Sequence, residues 1–301
     1  MSNNYNDVTD FVIPLHRYHC MVRTVVEAIH MFYSPRTIYI VTPKRFSKTI
    51  INAYKNWIVK KIVVIEEETF FMKTYKLLYH DILKKFNDEK NENAREFGWW
   101  YQQLIKIGAY KQISNLSDPY IVWDSDLIPI IKWDIYPTAS SPYFKHAILQ
   151  EKARSEWNNE QYRQSLYALT RLPMNDPDEG TFVTHHFVFY HDVLADLINH
   201  IELISNNSWI ESIIRLSYTF FRFSEYRTVS AFMNYKYPRR FKYHIYREFG
   251  KYGKRIRNPQ KILDEMAEFF GELYEISYDN FLQFVKHTYT SIPSYLQIEH
   301  I

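Results

Sequence analysis

The sequence predicts an α/β fold: a mixed, mostly parallel sheet flanked by helices, with a helical extension at the C-terminal end. Three observations predict it. Short apolar runs alternate with helical periodicity over residues 11–65. A fourth apolar run ends in two carboxylates at Asp124 and Asp126. Beyond Asn258-Pro259 the pattern becomes that of acidic amphipathic helices.

Phe11-Val12-Ile13-Pro14-Leu15 reads as a short strand leading into a polar loop, His16-Arg17-Tyr18-His19. Val22, Val25, Val26, Ile29 and Phe32 then recur at three- and four-residue spacings, which places them on one face of a helix. Thr37-Ile38-Tyr39-Ile40-Val41 is a second strand, closed by Thr42-Pro43-Lys44. A helix over 47–57 leads to a third strand, Lys61-Ile62-Val63-Val64-Ile65, and then to Glu66-Glu67-Glu68. Strand, helix, strand, helix, strand at this spacing implies parallel pairing with right-handed crossovers. Strands apolar throughout fit a sheet covered on both faces.

Residues 70–93 are helical in tendency and increasingly charged, and 95–110 form a better helix. Tyr120-Ile121-Val122-Trp123 is a fourth strand that runs straight into Asp124-Ser125-Asp126. A helix-rich stretch reaching Leu172, a β-branched and aromatic strand over 181–190, and a helix over 191–204 follow. Helices over 260–276 and 278–287 complete the chain. The expected division is a main domain over 1–258 with the extension, 259–301, packed on it.

The length of 301 residues suits one large domain, and 46% apolar with 24% charged residues is ordinary for a soluble protein. Aromatic residues stand out, with 26 Tyr and 21 Phe against 6 Gly. Tyrosine suits surfaces that stack on flat rings or sugar faces, although compositional drift gives the same counts. A single cysteine, Cys20, excludes an intramolecular disulfide and fits a reducing compartment. The polar first ten residues do not read as a signal peptide, and no apolar run approaches a membrane span. A cytoplasmic location is expected. The charge is uneven: residues 235–261 hold ten Lys or Arg against one acid, Glu248, in a chain of net charge only +3.

Asp124-Ser125-Asp126 carries the clearest chemical signal. Ligands of open parallel sheets bind beyond the carboxyl ends of the strands, and here that end presents two carboxylates one residue apart. Hard oxygen donors of this kind hold a divalent cation that can bridge to a diphosphate. A solvated turn capping the next segment uses the same residues. There is no Gly-rich phosphate loop, no pair of cysteines for zinc and no Gly-x-Ser-x-Gly elbow.

Five features in order carry a resemblance to a known group. They are Phe11-Val12-Ile13-Pro14-Leu15-His16, Gly98-Trp99-Trp100-Tyr101-Gln102-Gln103-Leu104-Ile105-Lys106, Asp124-Ser125-Asp126, Thr184-His185-His186-Phe187 and Ser224-Glu225-Tyr226-Arg227. Over residues 11–231 the chain resembles GT-A-fold glycosyltransferases, in particular the DUF6492-type proteins of bacteria and large algal viruses. For a viral chain the compartment would be the host cytoplasm.

The resemblance implies a transferase that moves a sugar from a nucleotide-diphosphate sugar to a glycan hydroxyl, with Mn²⁺ or Mg²⁺ as cofactor. It implies Asp124 and Asp126 as metal ligands, with His186, or alternatively His244, completing the shell. His16, Arg17, Lys44, Glu66, Gln102, Lys106 and Ser125 would face the donor, since they lie at strand ends or on the helix beside it. Arg17 and Lys44 suit diphosphate oxygens. Gln102 and Lys106 share a helical face, as a buried amphipathic helix would also arrange them. Glu225 would be the base of an inverting reaction, although an acid after Ser224 also favours a helix N-terminus. Asp192 and Asp176 are weaker alternatives for the base, and His185 with Tyr226 would face the acceptor.

Two other readings use the same residues differently. A sugar-phosphate nucleotidyltransferase shares a sheet and metal-bound phosphates but lacks its glycine loop here. A nucleic-acid-binding protein would use the basic, aromatic residues 235–261, and leaves Asp124 and Asp126 without a purpose. No nucleic-acid partner is therefore expected.

Overall fold

The computed structural model describes residues 8–90, 97–139, 141–149, 156–178, 180–216, 223–244, 253–299 and 301. Its strands are β1 (Asp10–Pro14), β2 (Thr37–Thr42), β3 (Ile62–Glu66), β4 (Tyr120–Trp123), β5 (Leu127–Pro129), β6 (Lys145–Ala147), β7 (His186–Phe189), β8 (Lys242–His244), β9 (Lys254–Ile256) and β10 (Tyr295–Ile298). The helices up to the fourth strand are α1 (Val22–Tyr33), α2 (Lys44–Ala53), α3 (Met72–Tyr75), α4 (Tyr79–Lys90) and α5 (Phe97–Gln112). Those after it are α6 (Glu156–Thr170), α7 (His191–Ser205), α8 (Trp209–Leu216), α9 (Glu225–Lys236), α10 (Pro259–Phe270) and α11 (Tyr278–Thr288).

The central sheet has the order β3-β2-β1-β4-β7. β1, β2, β3 and β4 are mutually parallel and β7 runs antiparallel against β4. The expected α/β architecture with a mostly parallel sheet is the observed one. β1, β2 and β4 are buried along their whole length, which is why they read as unbroken apolar runs. The chain adds β2 and β3 on one side of β1, then reverses and places β4 on the other. With right-handed crossovers, this reversal sends α5 to the face opposite α1. Accordingly α1 packs with α11, whereas α5 packs with α7 and α9. The crevice between the carboxyl ends of β1 and β4 is therefore the switch point of the sheet, where such folds take their ligands.

The aromatic residues are concentrated in the core. Phe11 stacks on Tyr33 with ring centroids 5.7 Å apart, and Trp123 stacks on Trp133 at 5.3 Å. Trp100, Trp123, Trp133, Trp209, Tyr33, Tyr101, Tyr120 and Tyr278 are among the largest fully buried side chains. Much of the aromatic content thus packs the interior.

Several elements differ from the expected ones. The strand over 181–190 contracts to β7, because His185 adopts a left-handed backbone (φ 61°) that breaks the extended run. The helix over 260–276 ends at Phe270, where Gly271 takes φ 81°. After its helices, the extension also contributes β10, which pairs antiparallel with β5 and parallel with β9 in a second sheet. Tyr295–Ile298 is too short for its alternation to stand out from its surroundings in sequence.

The extension is fastened to α1 by polar contacts. Thr24 Oγ1 donates to the Ile276 carbonyl at 2.6 Å, and the Ile276 N–H to the Cys20 carbonyl at 3.1 Å. The buried Glu27 carboxylate accepts from Arg23 Nε at 2.8 Å, from the Tyr278 N–H at 2.8 Å and from the Ile58 N–H at 3.3 Å. Among the described residues, no helix is long and apolar enough to cross a membrane.

Replacing Glu27 leaves a buried N–H and a guanidinium without their acceptor. Glu27→Ala is expected to lower unfolding free energy by about 3 kcal/mol in urea denaturation.

Candidate metal centre

Asp124, Ser125 and Asp126 leave the carboxyl end of β4 in a turn pinned from four directions. The Asp124 N–H donates to the His185 carbonyl at 2.8 Å, and the Leu127 N–H returns to the Asp124 carbonyl at 3.1 Å. Trp123 Nε1 donates to the Leu127 carbonyl at 2.8 Å. The Ile298 N–H, from β10, donates to the Asp126 carbonyl at 3.1 Å. The antiparallel register pairs Trp123 with His186, so the residue just before β7 lies directly across from Asp124. That residue is His185. Left-handed backbone is uncommon for a non-glycine residue, and here it turns the imidazole towards the carboxylates.

Asp124, Asp126 and His185 each offer a ligand atom within 4.8 Å of the others. His185 Nδ1 lies 2.9 Å from Asp124 Oδ2. Asp126 Oδ1 and His185 Nε2 are both buried and have no partner among the described residues. Two orphaned lone-pair donors beside a second carboxylate fit a divalent cation.

Behind the cluster lies a buried charge network. Lys106 Nζ, on α5, stands 2.5 Å from Asp124 Oδ1 and 2.6 Å from Glu225 Oε1, and donates to Tyr226 Oη at 3.1 Å. Tyr226 Oη in turn donates to Asp124 Oδ1 at 3.0 Å. Ser224 caps α9 by accepting from the Arg227 N–H, which sets Glu225 and Tyr226 in the first turn facing α5. Gln103 Oε1 accepts the Glu225 N–H at 3.3 Å.

Electrostatics follow from burial and these partners. Burial pushes the Asp124 carboxyl up, but Lys106 and His185 outweigh it and hold the group below the usual carboxylate range. Asp126 lacks the lysine, so burial and the neighbouring Asp124 charge, opposed only in part by His185 and Gln297, push it up to about 6. Burial raises Glu225 too, with Lys106 offsetting part of the effect. Lys106 is opposed by burial and held protonated by its two carboxylates.

A family model matches residues 17–276. The chain belongs to the DUF6492 family. That family is described as one of unknown function. No curated protein matches the chain. A solved structure of mouse xyloside xylosyltransferase 1, in its apo form, aligns over 97% of this chain and 98% of that one, at 8% identity and a TM-score of 0.48.

Several residues of this DUF6492 chain lie elsewhere than the sequence suggested. His186 sits in the core, its ring 5.0 Å from that of Trp123 and 4.9 Å from that of Trp133, with Nδ1 bonded to the Thr184 carbonyl at 3.0 Å. The imidazole grouped with the two aspartates belongs to His185, expected on the acceptor side, because the turn that faces them ends one residue before β7 begins. The side chain of His244 lies outside the described residues. Lys106 directs its ammonium at Asp124, Glu225 and Tyr226, which takes up all three donors, so its expected contact to the donor gives way to an internal role. Tyr226 is likewise buried against Asp124 rather than open to an acceptor. Gln102 is half-buried, and Gln103 is the glutamine that reaches the network. Asp176 and Asp192 pair with Arg227 and Arg240.

At the other strand ends, His16, Arg17 and Lys44 are exposed, and Ser125 is half-buried. Glu66 accepts from Ser47 Oγ at 3.3 Å and lies 4.0 Å from Lys44 Nζ. Glu68 caps the start of α2 through the Lys44 N–H. Glu67, which the sequence did not single out, is buried 3.9 Å from His16 Nδ1, and burial with the Glu68 charge pushes it up to about 8. In the basic stretch, Lys236, Arg240, Arg255 and Lys261 pair with Asp196, Asp192, Glu299 and Glu265, while Arg247 and Lys251 lie outside the described residues.

Two measurements check this geometry. Titrated with Mn²⁺ by EPR, His185→Ala and Asp126→Ala are expected to weaken binding at least about tenfold, whereas His186→Phe stays within about twofold because that ring is turned into the core between Trp123 and Trp133. Glu67 binds its proton more tightly in the fold than in the unfolded chain. Its stabilising effect is therefore full below the unfolded value near 4.5 and is lost as pH rises through about 8. Glu67→Gln should flatten that loss between pH 5 and 9, by at least about 1 kcal/mol in urea unfolding.

Proposed function

We propose that this DUF6492 protein is a metal-dependent glycosyltransferase on a GT-A-like scaffold, moving a sugar from a nucleotide-diphosphate sugar to a glycan hydroxyl. The observation that carries the reading is the Asp124, Asp126 and His185 cluster at the carboxyl end of β4, beside the switch point of a parallel sheet. Ligands with phosphate groups bind at such crevices, and the oxygen-rich cluster supplies what a cation bridging to a diphosphate needs.

Asp124, Asp126 and His185 form the site for Mn²⁺ or Mg²⁺. When bound there, the cation stabilises the negative charge that develops on the departing diphosphate. The exposed Arg17 and Lys44 stand at the ends of β1 and β2, where their charges reach the same diphosphate. His16 and the acids Glu66 and Glu67 flank the nucleoside, with hydrogen-bonding groups for base and ribose. Gln102 and Ser125 stay on the donor side. Glu225 keeps the role of base in an inverting transfer, with Lys106 holding its Oε1. Burial raises its affinity for the acceptor's proton.

The test uses a panel of nucleotide sugars with Mn²⁺, following release of nucleoside diphosphate. Turnover with at least one donor is expected, falling at least about a hundredfold in Asp126→Ala. No release from any donor, together with salt-sensitive binding to oligonucleotides, would overturn the enzyme reading. Glu225→Gln should lower kcat by about a hundredfold, and an inverted anomeric centre, read by NMR of the product, is expected.

A further inference from the structure

The two oxygens of Asp124 are engaged differently. Oδ1 takes the Lys106 ammonium at 2.5 Å and the Tyr226 hydroxyl at 3.0 Å, whereas among the described residues Oδ2 meets only His185 Nδ1, at 2.9 Å. Main chain locks the same two residues together, through the Asp124 N–H on the His185 carbonyl. All three donors of Lys106 are used on Asp124, Glu225 and Tyr226, so the ammonium is a fixed strut between α5, β4 and α9.

We infer that Lys106 and Asp124 are positioning residues: Lys106 clamps Oδ1, Oδ2 fixes the Nδ1–H tautomer of His185, and Nε2 with Asp126 Oδ1 is thereby presented to the metal. An ionised carboxylate only accepts hydrogen bonds, so the hydrogen in the Asp124–His185 contact sits on Nδ1. The neutral ring then carries its lone pair on Nε2, the atom left buried and without a described partner, as is Asp126 Oδ1. A carboxylate on the far nitrogen of a metal-binding histidine is a recurrent arrangement that sets ring orientation and ligand strength. Lys106 and Tyr226 fill both lone pairs of Oδ1, and Oδ2 keeps one beside the His185 contact. Within the Asp-Ser-Asp motif, the first aspartate then sets the histidine, and the second presents an unpaired oxygen.

The inference rests on the metal site of the proposed function but not on sugar transfer, and its test needs no donor. Protein labelled with ¹⁵N-histidine gives imidazole nitrogen shifts that separate the tautomers, His185 being assigned from the signal missing in His185→Gln. The metal-free wild type is expected to show His185 protonated on Nδ1 with a bare Nε2, and Zn²⁺, as a diamagnetic probe, should move Nε2. Lys106→Met should populate the Nε2–H form and weaken Mn²⁺ binding at least about fivefold. Coulomb's law alone predicts the opposite, because losing an ammonium tightens the hold on a cation. A positioning role and a mere charge effect therefore differ in sign. Tyr226→Phe, which keeps the ammonium, should shift tautomer and affinity the same way by a smaller factor, and it decides the matter if Lys106→Met does not fold. Wild-type His185 protonated on Nε2 overturns the inference. So does Mn²⁺ affinity that is unchanged or tighter in the variants. Absence of transferase activity would leave every one of these outcomes readable.

Discussion

The Lys106 ammonium, shared between the Asp124 and Glu225 carboxylates, is the interaction on which the rest of the site depends. It joins a helix, a strand end and a second helix that are far apart in sequence. Leaving two carboxylates unpaired in the interior would cost several kcal/mol, whereas one cation with its three donors satisfied makes the arrangement tolerable. Stability and site geometry are therefore coupled here. The cation that neutralises the interior also fixes where the carboxylates point.

The sheet determines where this network can form. Because the winding reverses between β1 and β4, the ends of those strands open into a crevice rather than beneath a crossover helix. The antiparallel β7 then brings His185 beside Asp124, something a further parallel strand in that place would not do, since its start would lie at the other end of the sheet. Reversal and antiparallel edge together gather the cluster from two stretches of chain.

Much of this was legible in the sequence. β1, β2 and β4 are buried along their whole length, so their apolar runs were unambiguous, and the two aspartates followed one of them directly. What sequence misses has a common physical cause: each missed residue is defined by a partner distant along the chain. His185 and His186 are neighbours with opposite fates, decided by one left-handed residue. Lys106 reads as a donor contact on a helix face until the buried carboxylates opposite it are known, and Gln103 resembles Gln102 until the Glu225 N–H is placed. Gln297 comes within 3.5 Å of Asp126 Oδ2 from a strand with no local signature. The tyrosine count hinted at stacking surfaces, yet many aromatic rings fill the core.

The pairing of β10 with β5 has a consequence for the order in which the molecule assembles. The turn holding Asp126 receives the Ile298 N–H, so its final shape waits on a contact between segments more than half the chain apart. Contacts of that separation carry a large loop-closure entropy and form after the local βαβ units have condensed. The central sheet can thus exist before the Asp124–Asp126 turn is rigid. Under the proposed function, competence to bind a cation would report that the two ends of the fold have met.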